Sequence, residues 1–269
     1  MKEHSYFEYN DGAEVTKGAF RISASQISKF FDSTSKWYHE HLLGEEGFTG
    51  STATVLGTTV HAGIEMYVRE GEVNWEELEK FILSHSRDEE IDVDRILAQF
   101  EPMISTALPF VDKNMPDEVE KFVFHEILPG IGAGGSIDAL RGDTIMDWKT
   151  TSAKTAPTKF SRSYWFQQIL YAWVLRQQGI TINYLKLVYI TQNDTGRVSE
   201  KTGKPLKDYP STLSVVTEQV TEESLELIGS CVKLIAESVK TWNEQPELRH
   251  LLAQDMRLKP KPKPILFGK

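Results

Sequence analysis

The chain has 269 residues, 40% hydrophobic and 26% charged, with a formal net charge of −9 and a single cysteine, Cys231. This composition suits one globular α/β domain with insertions. One cysteine excludes an internal disulfide framework and a four-cysteine iron–sulfur cluster, and no apolar run approaches the roughly 18–20 residues that span a bilayer. The acidic balance provides no bulk attraction for nucleic acid, although contact with a phosphate backbone needs only a local basic strip.

Met1-Lys2-Glu3-His4 carries no apolar signal region, so a cytoplasmic protein without membrane association is expected. Residues 1–20 read as an irregular lead-in. A helix start follows: Ser23 or Ser25 can cap it, and Ile27, Phe30 and Phe31 form an apolar stripe that Trp37 and Tyr38 continue. Glu45 to Thr54 reads as a loop, and Leu56 to Tyr67 as a helix with Val60, Ile64 and Tyr67 on one stripe. His61 and Glu65, four residues apart, share a neighbouring face of that helix. Residues 75–115 have a helical pattern that Pro102, Pro109 and Pro116 are expected to break into short pieces. The span 66–118 reads as a helical insertion.

Val119 to Leu128 has strand character, and Pro129 to Gly134 reads as a loop. The segment from Gly134 to Thr150 then reads as a β-hairpin turning at Arg141-Gly142-Asp143. Tyr164 to Gln178 is a strong helix ended by Gly179, and Ile182 to Thr191 a strand. Asn193 to Pro210 is turn-rich and expected to be a mobile loop. Leu213 to Val220 is a further strand, and Thr221 starts an amphipathic helix running to about Trp242. The tail, 257–269, is basic and proline-spaced, so extended polyproline-like geometry is expected; it reads as a solvated tail or as a phosphate or partner contact. No internal repeat is present.

Chemistry concentrates in the hairpin. Side chains alternate along a strand, so Asp147 and Lys149 project to one side, and Asp138 on the preceding strand joins them if the register places it there. Two acids and a lysine on one face can hold a divalent cation and steady a phosphate. Asp-x-Lys alone is a weak signal, because charges alternate on many exposed strands, and a lone helix histidine is usually structural. Order and spacing add weight: His61 in Gly57-Thr58-Thr59-Val60-His61, then Gly135-Ser136-Ile137-Asp138, then Asp147-Trp148-Lys149-Thr150, then Gln167 and Tyr171 at i, i+4 on a helix.

This set resembles the PD-(D/E)xK nuclease superfamily, in its RecB-like and Cas4-like branch that includes phage exonucleases. It departs from the many relatives that carry iron–sulfur cysteines. The resemblance implies a restriction-endonuclease-like α/β core, a central mixed β-sheet flanked by helices, forming a single domain over 1–269. It further implies that His61, Asp138, Asp147 and the backbone carbonyl of Trp148 hold Mg²⁺ or Mn²⁺, that Lys149 orients the attacking water, and that Gln167 and Tyr171 position DNA or support the site. The tyrosine spacing selects Gln167 over Gln168. Glu65 and Glu126 are further candidate carboxylates whose participation is open. The implied activity is metal-dependent hydrolysis of DNA, as an exonuclease on single- or double-stranded ends in phage-type recombination or repair, with a recombination or replication protein as a candidate partner. The alternative is a catalytically inactive nucleic-acid-binding module on the same fold. A phosphate loop of a small-substrate hydrolase fits poorly, because Gly130, Gly132, Gly134 and Gly135 precede a strand and not a helix.

Overall fold

The computed structural model describes residues 6–7, 12–43, 50–88, 90–196, 198–199 and 201–248. The basic tail at 257–269 lies outside these residues, as do residues 45–49 of the loop expected from Glu45. In chain order the elements are α1 (Ala13–Thr16), β1 (Phe20–Ile22), α2 (Ala24–Asp32), α3 (Thr34–His41), α4 (Thr52–Glu70), α5 (Trp75–Ser84), α6 (Val93–Lys113), β2 (Glu118–Leu128), β3 (Ile131–Arg141), β4 (Thr144–Thr151), α7 (Arg162–Gln177), β5 (Tyr184–Thr191), β6 (Leu213–Gln219) and α8 (Glu222–Glu244).

The strands form one mixed sheet in the order β1-β3-β4-β5-β6, with β2 along the remaining edge of β3. One edge of β3 is taken by β2, antiparallel, from Ile131 to Leu140. The other is shared: β1 pairs with Ile131–Ala133, and β4 pairs only with Ala139–Arg141. Beyond Ala139 and Met146 the strands β3 and β4 therefore part, while β4 continues as the parallel neighbour of β5 up to Thr151. Asp138 and Asp147 are the first residues past the last paired rung. The sheet forks at the two acids.

A helical layer covers each face. Side chains of α2, α3, α7 and α8 pack with Val123, Ile137, Ile145 and Leu185 on one side. On the other, α4, α5 and α6 pack with Ala139, Met146, Trp148 and Val188. This is an α/β fold with a central mixed sheet flanked by helices, as the sequence implies. The span 66–118 holds the end of α4 with α5 and α6. Caps set the helix starts that matter for the site: Ser51 accepts from the Thr54 amide, Ser161 from Tyr164, and Thr221 forms a reciprocal box with Ser224. Gly71, in the left-handed region at φ 79°, ends α4.

Four local expectations change. The glycine run does not form a loop: Gly132, Gly134 and Gly135 lie in β3. The reason is crowding, since a Cβ on Gly134 would stand 2.0 Å from the carbonyl oxygen of Val123 on β2. The stretch with Pro102 and Pro109 is one helix, α6. Two interior prolines cost roughly 6 kcal/mol, whereas burial of Ile96, Phe100, Met103, Ile104 and Val111 stabilises by roughly 1.5–3 kcal/mol each, so packing wins. The early apolar stripe is two helices, because Ser33 is extended (φ −161°) and its hydroxyl caps α3 by accepting from the Lys36 amide. The lead-in holds the one-turn helix α1, and its last residue, Phe20, opens the three-residue strand β1. The turn-rich segment carries two isolated bridges, Asp194 with Tyr209 and Val198 with Pro205.

Candidate active site

Alternation along β4 separates its side chains. Trp148 turns to the helical layer and lies edge-on to Phe110 of α6, with ring centroids 6.1 Å apart. Asp147 and Lys149 turn the other way, where the Lys149 ammonium lies 4.9 Å from the centre of the Tyr164 ring at the start of α7. The Lys149 Nζ is 2.7 Å from Asp147 Oδ2, and the Asp147 residue is only 2% exposed. Its Oδ1 is buried without a hydrogen-bond partner.

The fork brings Asp138 to the backbone of β4. Its Oδ2 accepts the Trp148 N–H at 3.0 Å, which replaces the next rung of the ladder by a side chain. From the opposite helical layer, His61 on α4 reaches the same point: its Nε2–H donates to the Trp148 carbonyl at 2.8 Å, and its Nδ1 is 3.4 Å from Asp138 Oδ2. Residues 61, 138 and 147–149, far apart in the chain, thus meet at one place.

Burial raises the pKa of Asp147 to about 7, against the lowering influence of Lys149. Burial raises that of Asp138 as well. Burial alone would lower the Lys149 pKa, but the charges of Asp147 and Asp138 outweigh it and hold the ammonium above its ordinary range. Burial and the Lys149 charge push His61 down to about 4, so its imidazole is neutral at pH 7, the form that ligates metals.

The site opens into a cavity of about 930 Å³ lined in part by His61, Glu65, Glu120, Asp138, Gln167 and Tyr171. Gln167 and Tyr171 therefore share the cavity wall with the metal-ligating types, whereas Asp147 and Lys149 are not part of the lining. Gln168 is fully buried and donates to the Lys186 carbonyl at 3.0 Å, a structural role in holding α7 to β5. Glu65 lines the cavity but is paired with Arg69 at 2.7 Å. Glu126 lies elsewhere, accepting the Gly130 amide of the β2–β3 turn at 2.7 Å.

Glu120 is a cavity carboxylate that the sequence reading misses. Its carboxylate, with His61 and Asp138, offers ligand atoms all within 4.8 Å of one another. The signal that could have found it is the turn at Pro129-Gly130, which pairs β2 with β3. However, the register shifts by one residue between Glu126 and Leu128. Counted back from the turn without that bulge, Glu120 falls opposite Ala139; with it, Val119 faces Ala139 and Lys121 faces Ile137, so Glu120 comes level with Asp138.

The donor set suits a hard or borderline divalent cation: carboxylate and carbonyl oxygens with one imidazole nitrogen. Adjacent donors around an octahedral cation at about 2.1 Å are roughly 3 Å apart, and His61 Nε2 and the Trp148 carbonyl are already 2.8 Å apart. The orphaned Asp147 Oδ1 and the upward pull of burial on both aspartates fit carboxylates that would take a cation as partner.

No curated protein matches the sequence. Among solved structures, the backbone is similar to that of a Eubacterium rectale protein described as an exonuclease, with 16% identity, a TM-score of 0.55, and 98% of this chain and 97% of that chain covered. This likeness speaks for the fold. Two weaker likenesses are to an alkaline exonuclease, LHK-Exo, from Laribacter hongkongensis (13% identity, TM-score 0.41, 87% and 95% covered) and to a phage related exonuclease from Haemophilus somnus 129PT (12% identity, TM-score 0.40, 82% and 97% covered). Among the described residues no helix is long and apolar enough to cross a membrane. The family model of the PD-(D/E)XK nuclease superfamily matches residues 21–258, a span that includes the forked pair of acids; the chain belongs to that superfamily.

Proposed function

We propose that this nuclease is a metal-dependent deoxyribonuclease that removes nucleotides from DNA ends, with Mg²⁺ or Mn²⁺ as its cation. The observation that carries the reading is the convergence of His61, Asp138, Asp147 and the Trp148 carbonyl at the fork between β3 and β4, with the Lys149 ammonium 2.7 Å from Asp147. These four groups would hold the cation. When bound, it would lower the pKa of a coordinated water and offset phosphate charge.

The remaining chemistry belongs to the chain. Lys149 is a fixed, protonated donor; it orients the attacking water and meets the negative charge that grows on the phosphoryl oxygens. Its approach to the Tyr164 ring limits its motion. Gln167 and Tyr171 give the cavity wall hydrogen-bonding groups at the spacing of one helical turn, suited to holding the sugar–phosphate backbone. With a formal charge of −9, the protein depends on this local set, and on a partner or its basic tail, for engagement of DNA. The description of the Eubacterium rectale neighbour as an exonuclease supports end-directed action, and a setting in recombination or repair is the expectation that follows.

The test is cleavage of linear single- and double-stranded DNA with Mg²⁺ or Mn²⁺, with a chelator and with Lys149→Ala as controls. Linear DNA should shorten from its ends and closed circular DNA should remain intact. Cutting of closed circles would replace the exonuclease reading by an endonuclease one. Tight DNA binding without cleavage under either metal would favour the inactive binding module.

A further inference from the structure

Resting on that reading of the site, we propose that Glu120 is a further metal ligand, forming with His61 and Asp138 a carboxylate–imidazole–carboxylate triad that does not include Asp147. Three observations support it. The three side chains offer ligand atoms mutually within 4.8 Å, and all three line the cavity. Glu120 is oriented by a neutral donor: the Ser136 hydroxyl donates to its Oε2 at 2.9 Å, leaving the charge uncompensated by that contact. By contrast, the neighbouring Glu65 is neutralised by Arg69. Finally, Glu120 has φ +49°, inside the left-handed region that a glutamate in a strand avoids at a cost of roughly 1–2 kcal/mol. The flanking rungs, Val119 with Ala139 and Lys121 with Ile137, remain paired on either side. The backbone is therefore distorted at the one residue of β2 that stands level with Asp138.

The geometry assigns distinct duties to the acids. Asp147 is nearly inaccessible and bound to Lys149, whereas Glu120 faces the open cavity. Asp138 belongs to both groups. A cation held by Glu120, His61 and Asp138 would lie on the solvent side of the site, where substrate phosphate enters.

The experiment is Mn²⁺ binding by calorimetry and by electron paramagnetic resonance, without DNA, on the full chain and on Glu120→Gln, Glu120→Asp and Asp138→Asn, with circular dichroism as a check of folding. Glu120→Gln keeps the size of the side chain and an oxygen to accept the Ser136 hydroxyl. It should weaken Mn²⁺ binding by at least roughly tenfold, or remove one bound ion. Glu120→Asp retains a carboxylate and tolerates the left-handed backbone, and should bind better than Glu120→Gln. Unchanged binding in Glu120→Gln together with lost binding in Asp138→Asn would overturn the assignment of Glu120 and leave the rest of the site standing. Absence of Mn²⁺ binding by the unmodified chain would overturn the metal site itself, and Glu120 with it.

Discussion

Replacing Lys149 by Met tests the buried pair at the centre of the site. Methionine keeps most of the packing volume and removes the ammonium 2.7 Å from Asp147 Oδ2. In the metal-free protein Asp147 has a pKa of about 7 even with Lys149 lowering it; without the ammonium it moves higher. The sign follows from linkage. A carboxyl whose folded pKa lies above its unfolded value of about 3.9 contributes stability at low pH and loses it as pH rises to the folded pKa. In the native protein that loss is complete near pH 7, whereas in the variant it continues above pH 7 at about 1.4 kcal/mol per pH unit. At pH 6 the carboxyl is largely protonated in both proteins and the deficit of the variant is small. Above pH 7 it should grow with pH until the variant's own carboxyl ionises, toward the cost of about 3–5 kcal/mol for breaking a buried ion pair. Urea unfolding of metal-free protein at pH 6, 7, 8 and 9 measures this directly. A deficit that is the same at every pH would show that Lys149 and Asp147 are not electrostatic partners. On DNA the same variant should lose about 10²–10³ in cleavage rate, the cost of one preorganised donor at a developing negative charge.

The two adjacent glutamines should separate cleanly. Gln168→Ala frees the Lys186 carbonyl inside the core and should cost about 1–3 kcal/mol of stability, whereas Gln167→Ala should lower DNA cleavage while leaving the unfolding free energy within about 0.5 kcal/mol. Gly135→Ala places a Cβ 2.8 Å from the Tyr171 hydroxyl and should cost about 1–3 kcal/mol with a drop in cleavage as the ring is displaced; wild-type kinetics in that variant would remove Tyr171 from the working site. Saturating Mn²⁺ should raise stability by about 2.7 kcal/mol at a hundred times its dissociation constant, and Asp138→Asn should abolish most of that gain; thermal unfolding with and without metal reads both.

Much of the architecture could be read from short-range pattern. β2, β5, β6, α7 and α8 fall within two residues or so of their expected bounds, because period-two and period-3.6 patterning, a Gly179 stop and a Thr221 cap are all local. The misread segments are those where tertiary packing overrides local preference. Proline marks breaks in isolated helices, yet α6 is held by its buried face against α4 and α5. Glycine marks loops, yet β3 uses it to let β2 and Tyr171 approach its backbone.

The same division holds at the site. The sequence by itself determined that Asp147 and Lys149 share a face, since alternation in a strand is a property of the backbone alone, and it determined that His61 and Gln167 each stand on a helix with partners one turn away. Only the tertiary structure decided that β3 and β4 part at Asp138, that α4 crosses near enough for His61 to reach the Trp148 carbonyl, and that a one-residue bulge brings Glu120 level with Asp138. Register and crossing are set by contacts between residues distant in the chain, and a shift of a single residue in either exchanges the face that a side chain presents.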